Sequence, residues 1–251
     1  MAYSAIGSGR GYPVMYLHGA IGSPRWRTPV LDAAIAALGL RYVLPERPGF
    51  GGSDPDPGRT VAGYAEDLRE LADQLGWRRF SVVGVSAGAQ YALACAWAMP
   101  ERVGAVAAAS ALPPPRAARS GRFRLRYRVP QIAFGTPGLG PALAAAGLAA
   151  MGLRRLTPPR AMVEDYEVCC RPWGFEPEEI PGPVTLWHAR RDRLVPVAHA
   201  AQLAASLPAG TLALERRGGH FFLRSSVRKI LASLVEPERG AELTPALARA
   251  A

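Results

Sequence analysis

Lysine is almost missing from this chain: Lys229 stands alone among 30 basic residues, so the formal charge of +10 is arginine charge. With Ala, Gly and Pro abundant as well, that imbalance reads as the codon bias of a GC-rich genome. No helix-turn-helix, zinc-finger or aromatic-rich RNA motif accompanies the charge, and a nucleic-acid partner is not expected. Cysteine is scarce too. Cys95, Cys169 and Cys170 make an odd number without metal-ligand spacing, which argues against a disulfide framework and suggests no metal site. Also missing is an apolar run long enough to cross a bilayer, since the Ala-rich stretch from Pro141 to Gly152 is too short. The first ten residues lack a basic segment followed by an apolar one, so no secretory signal is expected and cytoplasmic residence is the simplest consequence.

What is present suits one packed domain carrying one insertion: 251 residues, 49% hydrophobic and 20% charged. Tyr12 to Leu17 reads as a buried strand. Thr28 and Pro29 then open a helix with Leu31, Ala34, Ile35 and Leu38 on one face, and Gly39 ends it. A strand over Arg41 to Pro45 follows, then a helix from Thr60 to Gly76 and a β-branched strand from Phe80 to Val85. An Ala-rich helix from Gln90 to Met99 and a strand from Val103 to Ala109 complete a fourfold alternation. Short connections of this kind predict a mostly parallel sheet flanked by helices. From Leu112 to Ile180 the rhythm breaks, and Pro, Arg and Gly predominate among aromatics such as Phe123, Tyr127, Phe134, Tyr166, Trp173 and Phe175. This segment is expected to be a helical insertion. Alternation resumes with a strand from Val184 to His188, a helix from Val197 to Leu207, a strand from Thr211 to Leu214, and a helix after His220.

The pattern Gly84-Val85-Ser86-Ala87-Gly88 places a serine between a strand and a helix, where the glycines permit a sharp turn and free backbone N–H groups favour developing negative charge. Serine is a poor nucleophile without a base, and four histidines are available. His18 suits shaping of the loop after the first strand, His188 ends a buried strand, and His199 falls in a helix with a solvated face. His220 differs, because it follows Arg217-Gly218-Gly219 in a turn after a late strand, where ligands meet an α/β sheet. The acid expected to orient it is Asp192, on the loop after the resumed strand, with Glu215 as the alternative. Arg122, Arg124, Arg126 and Arg128, spaced by two, read as a solvated or strand-like face.

His18-Gly19-Ala20, Arg47-Pro48-Gly49-Phe50-Gly51-Gly52-Ser53-Asp54, the serine turn, and the Asp192 and His220 loops occur in an order that resembles the α/β-hydrolase superfamily, in its serine-nucleophile, capped, esterase-like branch. The resemblance implies an α/β-hydrolase fold with core segments over residues 1–111 and 181–251 and a cap over residues 112–180. It implies that Ser86, Asp192 and His220 form a triad, that the backbone N–H groups of Ala20 and Ala87 form an oxyanion hole, and that Trp26, Phe123, Phe134, Trp173, Phe175 and Phe221 line the substrate pocket. No cofactor is expected, and the partner is a small-molecule substrate, with the chain monomeric or homodimeric. The segment before Tyr12 is shorter than the family's N-terminal hairpin, so one or two edge strands are expected to be missing or replaced. Serine in place of aspartate at the nucleophile position argues against the haloalkane dehalogenase and epoxide hydrolase branches. The expected chemistry is cleavage of a small or medium apolar ester, thioester or lactone. C–C bond hydrolysis, acyl transfer, cofactor-free perhydrolysis, and non-catalytic binding of a small molecule stay open.

Overall fold

The computed structural model describes residues 1–21, 27–114, 132–155 and 157–235. Seven strands run through it: β1 (Tyr3–Gly7), β2 (Tyr12–Leu17), β3 (Leu40–Pro45), β4 (Phe80–Val85), β5 (Val103–Ala109), β6 (Val184–Ala189) and β7 (Gly210–Glu215). They form one sheet in the order β1-β3-β2-β4-β5-β6-β7, parallel throughout except for β1, which runs antiparallel to β3. The helices are α1 (Pro29–Ala37), α2 (Tyr64–Gln74), α3 (Ala87–Ala98), α4 (Leu139–Ala150), α5 (Pro159–Cys170), α6 (Val197–Ser206) and α7 (Leu223–Val235).

The central strands are apolar on both sides because both faces are covered. In β2, Val14 and Tyr16 point into one core while Met15 and Leu17 point into the other. Strand β5 divides the same way, with Ala105, Ala107 and Ala109 on one face and Val106 and Ala108 on the opposite one. Ile35 of α1 and Ile230, Leu231 and Leu234 of α7 close the first core. Leu68 of α2, Tyr91 and Leu93 of α3 and Leu203 of α6 close the second. The N-cap expected at Thr28 is present, with the Leu31 N–H donating to its hydroxyl at 3.1 Å.

Several boundaries differ from expectation. An edge strand does precede Tyr12: β1 pairs Tyr3 with Pro45 and Gly7 with Arg41. Its five residues alternate only between exposed and half-buried, too weak a pattern to separate from a loop. Helix α2 starts at Tyr64, because the Thr60 hydroxyl accepts the Gly63 N–H at 2.9 Å and holds the preceding residues in a turn. Helix α3 begins at Ala87, directly after the serine. His199 is buried, not on a solvated face.

Between β5 and β6 the described residues contain α4, α5 and a short 3-10 turn at Pro177–Glu179. Ala144 and Leu148 of α4 pack on Met162 and Val163 of α5, and Ala20 and Ile21, just beyond β2, pack against this small cluster. Trp26, Phe123, Tyr127 and the arginines at 122, 124, 126 and 128 lie outside the described residues.

Candidate active site

Strand β4 delivers Ser86 at the sheet's carboxyl edge in a conformation that serine rarely adopts, with φ 54° and ψ −120°. Such backbone costs about 1–3 kcal/mol and persists only where its surroundings enforce it. Here the Ser86 N–H donates to the Ala109 carbonyl at 2.8 Å, and the Ala89 N–H donates to the Ser86 carbonyl at 3.0 Å. Two glycines make the turn sterically possible. A Cβ on Gly84 would strike the Gly88 carbonyl, and one on Gly88 would strike the Leu17 carbonyl where β2 passes beneath. Gln90, wholly buried, oriented to suit its neighbours, donates from its amide to the carbonyl oxygens of Ser86 at 2.9 Å and Ala87 at 2.8 Å.

His220 lies between Ser86 and Asp192. Its Nε2 is 3.0 Å from Ser86 Oγ, and its Nδ1 is 2.9 Å from Asp192 Oδ2. The other carboxylate oxygen of Asp192 accepts the backbone N–H groups of Leu194 at 2.8 Å and Val195 at 2.9 Å. Burial alone raises the Asp192 pKa. The bond to His220, that ring's charge and the two amides outweigh it and hold the carboxyl below its ordinary value. The acid is therefore ionised when it faces the imidazole. Glu215, the alternative acid, lies 3.4 Å from Lys229 Nζ instead. Ser110, also at positive φ (51°), donates from its hydroxyl to the His220 carbonyl at 3.0 Å and braces the histidine loop.

His188 shares the acid's surroundings. Its Nε2 donates to the Val195 carbonyl at 2.9 Å and lies 3.5 Å from Asp192 Oδ2. Burial lowers its pKa, so a neutral ring braces the loop without competing as a cation for the carboxylate.

His18 does shape the loop after β2. Its Nδ1 donates to the Gly19 carbonyl at 2.8 Å, and its Nε2 accepts the Arg47 backbone N–H at 3.4 Å. Burial, followed by the charge of Arg47, pushes the His18 pKa down to about 3, against the Gly19 bond and Asp165. The Arg47 guanidinium, fully buried, donates to the His18 carbonyl and forms a two-pronged pair with Asp165 of α5 at 3.0 and 2.8 Å. Tyr91 of α3 adds a hydroxyl bond to the same carboxylate at 2.9 Å, and its ring lies 5.0 Å from the guanidinium. This network joins the loop carrying Gly19 and Ala20 to a helix more than a hundred residues away. Gly19 runs so near the serine that a Cβ on it would stand 3.4 Å from Ser86 Cβ. The backbone N–H of Ala87 sits at the first turn of α3, where helices leave donors unpaired.

The expected pocket aromatics separate. Phe134 meets Tyr166 edge-on at 5.3 Å and packs on the cluster that includes Ala20. Phe221, half exposed, stands edge-on to His220 at 5.3 Å. Trp173 and Phe175 are buried in the larger core beside Trp97, so their rings are taken up by packing. No cluster of three or more His, Cys, Asp or Glu side chains suited to a metal occurs among the described residues. No helix among them is long and apolar enough to cross a membrane.

A family model described as the alpha/beta hydrolase family matches residues 14–232. The chain belongs to the alpha/beta hydrolase family. The fold agrees with solved structures of α/β hydrolases. An enol-lactonase from Burkholderia xenovorans superposes with a TM-score of 0.74 at 18% identity, over 94% of this chain and 96% of that one. An esterase from Thermogutta terrifontis superposes with a TM-score of 0.71 at 20% identity, over 97% of this chain and 94% of that one. A curated relative, the 2-hydroxy-6-oxononadienedioate/2-hydroxy-6-oxononatrienedioate hydrolase 2 of Pseudomonas putida, is 39% identical over 107 residues, 41% of this α/β hydrolase and 37% of that protein.

Three groups at this site escaped sequence reasoning. Asp165 carried a signal, since it stands on the same helix face as the buried Ala161, Val168 and Cys169, where a charge needs a partner. Ser110 and Gln90 carried none, because only the fold brings them to the serine turn.

Proposed function

We propose that this chain is a serine hydrolase that cleaves a small or medium apolar carboxylic ester, thioester or lactone through an acyl-enzyme on Ser86. The observation that carries the reading is the unbroken chain from Ser86 Oγ through His220, at 3.0 Å, to Asp192, at 2.9 Å. In this reading Ser86 Oγ attacks the carbonyl carbon while His220 Nε2 takes its proton. The N–H groups of Ala20 and Ala87 receive the oxyanion as it forms, and His220 returns the proton to the leaving oxygen or sulfur. Water, activated by the same imidazole, then releases the acid. Asp192, ionised at neutral pH, stabilises the imidazolium through both steps. The segment over residues 112–180 acts as a cap between core segments 1–111 and 181–251, and the packing of α4 and α5 on Ala20 and Ile21 supports this. Phe134 and Phe221 border the substrate.

Labelling with a fluorophosphonate probe tests the reading. Wild type is expected to react, and Ser86→Ala and His220→Ala to lose both labelling and turnover by several orders of magnitude. Equal reactivity of wild type and Ser86→Ala would refute it. The Pseudomonas putida relative favours one second reading, C–C bond hydrolysis with the same triad. Product analysis with a nitrophenyl ester beside a vinylogous diketone separates the two.

A further inference from the structure

The loops after β6 and β7 hold an arginine cluster that the chemistry at Ser86 does not use. Arg190, Arg191 and Arg193 follow β6, and Arg216 and Arg217 follow β7, all exposed. Arg191, Arg216, Arg217 and Gly218 line an open cleft of about 730 Å³, within the size range of small-molecule sites. Among the described residues none of these five side chains has an ion pair or hydrogen bond, and the adjoining Glu215 is directed to Lys229 at 3.4 Å. The backbone beneath is well tied. The Arg190 N–H donates to the Glu215 carbonyl at 3.0 Å and the Asp192 N–H to the Ala189 carbonyl at 3.1 Å. Gly218, at φ +86°, turns so close to Phe222 that a Cβ on it would lie 3.0 Å from the Phe222 Cβ. Arg191, Arg216 and Arg217 thus line a concavity on fixed supports, and no carboxylate of the described residues is ion-paired with them.

We propose that this cleft is a binding site for a small anion bearing linked phosphates, of the pyrophosphate class. A guanidinium is a planar fork that engages phosphate oxygens in pairs. A single carboxylate fills one fork, whereas linked phosphates present enough oxygens for three. Arg191 directly precedes Asp192 and Arg217 stands three residues before His220. An anion bridging Arg191 to Arg216 and Arg217 therefore clamps together the two loops that hold the acid and the base. Two sources supply this chemistry: a free anion acting on the loops, or a phosphorylated tail on the substrate's leaving group. Binding at the cleft stands whether or not Ser86 is a nucleophile, because it is read without turnover.

The test is calorimetric titration of inorganic pyrophosphate into the full chain at fixed ionic strength. The wild type is compared with Arg191→Gln/Arg216→Gln/Arg217→Gln and with Arg10→Gln/Arg154→Gln/Arg155→Gln, which removes equal charge elsewhere. The cleft variant is expected to bind about tenfold or more weakly, and the control to change less than about twofold. Arg191→Lys/Arg216→Lys/Arg217→Lys, which keeps the charge and loses the forks, is expected to fall between, and it also answers if the Gln variant does not fold. Equal weakening in cleft and control variants, or no saturable binding by wild type, overturns the proposal. Tighter binding of a short DNA duplex than of pyrophosphate at the same ionic strength also overturns it, in favour of a polymeric partner. Two kinetic arms separate the sources. A KM that rises in the cleft variant for a thioester with a pyrophosphate-bearing leaving group, but not for a neutral nitrophenyl ester, identifies the substrate's tail. A neutral-ester rate that changes when wild type is saturated with pyrophosphate identifies the free anion.

Discussion

Arg47 and the arginines that follow β6 and β7 are the same side chain in opposite situations. Arg47 is fully buried, and its donors meet the His18 carbonyl and both oxygens of Asp165. Arg191, Arg216 and Arg217 are exposed and lack side-chain partners among the described residues. A buried guanidinium loses its water and must be repaid by fixed partners, so it becomes part of the frame. An exposed one keeps its water, and its donors are available to a ligand. In a chain whose positive charge is nearly all arginine, burial and partnership distinguish structural charges from recognition charges.

The sharpest way to break that contrast is Arg47→Ala, which strips the buried Asp165 of its two-pronged partner and leaves it the Tyr91 hydroxyl at 2.9 Å and the Arg59 guanidinium at 3.9 Å. A loss of about 3–5 kcal/mol is expected, measured by urea unfolding, and a loss below 1 kcal/mol, roughly what an exposed pair contributes, would remove the distinction. Replacing both partners, as Arg47→Met/Asp165→Leu, is expected to recover a large part of that loss, because the buried carboxylate is gone and Arg59, which loses Asp165 at 3.9 Å, keeps Glu164 at 3.5 Å. A double variant no more stable than Arg47→Ala would show that the His18 contacts, not the pair, carry the stability.

Acid sharpens the contrast further. His18 has its pKa lowered from 6.5 to about 3 in the folded chain, so between those values the unfolded chain takes up a proton that the folded chain refuses. Stability therefore falls as pH drops through that window, by up to about 1.4 kcal/mol per pH unit. Asp165 acts in the same direction lower down. Burial raises its pKa, but the charge and hydrogen bonds of Arg47 outweigh this and depress it, so its contribution is present above the ordinary carboxylate value and lost as pH falls through the folded one. Urea midpoints against pH are expected to be less steep between pH 6.5 and 4 in His18→Gln than in wild type. Identical slopes would assign the acid sensitivity elsewhere. The smallest effect belongs to the exposed set: Arg216→Gln is expected to shift unfolding by less than about 0.5 kcal/mol, and a larger change would mean that this side chain is structural after all.

Much of the frame was legible because it depends on local pattern. The apolar runs of β2 and β4, the Thr28 cap, and the order of Ser86, Asp192 and His220 could all be read along the chain. Strand β1 was not legible, since five residues of weak alternation become a strand only when β3 offers its edge. Nor were the roles of the aromatics. Trp173 and Phe175 have the composition of pocket residues, and only the packing beside Trp97 shows their rings in the core.

By itself, the sequence determined that strand and helix alternate, that a serine stands where β4 turns into α3, and that an acid and a histidine follow in loops. Periodicity and turn chemistry act over a few residues, and that suffices for these features. Tertiary structure alone decided that Asp165 meets Arg47 across 118 positions. It alone placed Ser110 under the His220 carbonyl, and brought arginines from two loops to one cleft. The physical reason is that burial and charge pairing are set by the neighbours that the sheet order supplies, and no window along the chain contains them.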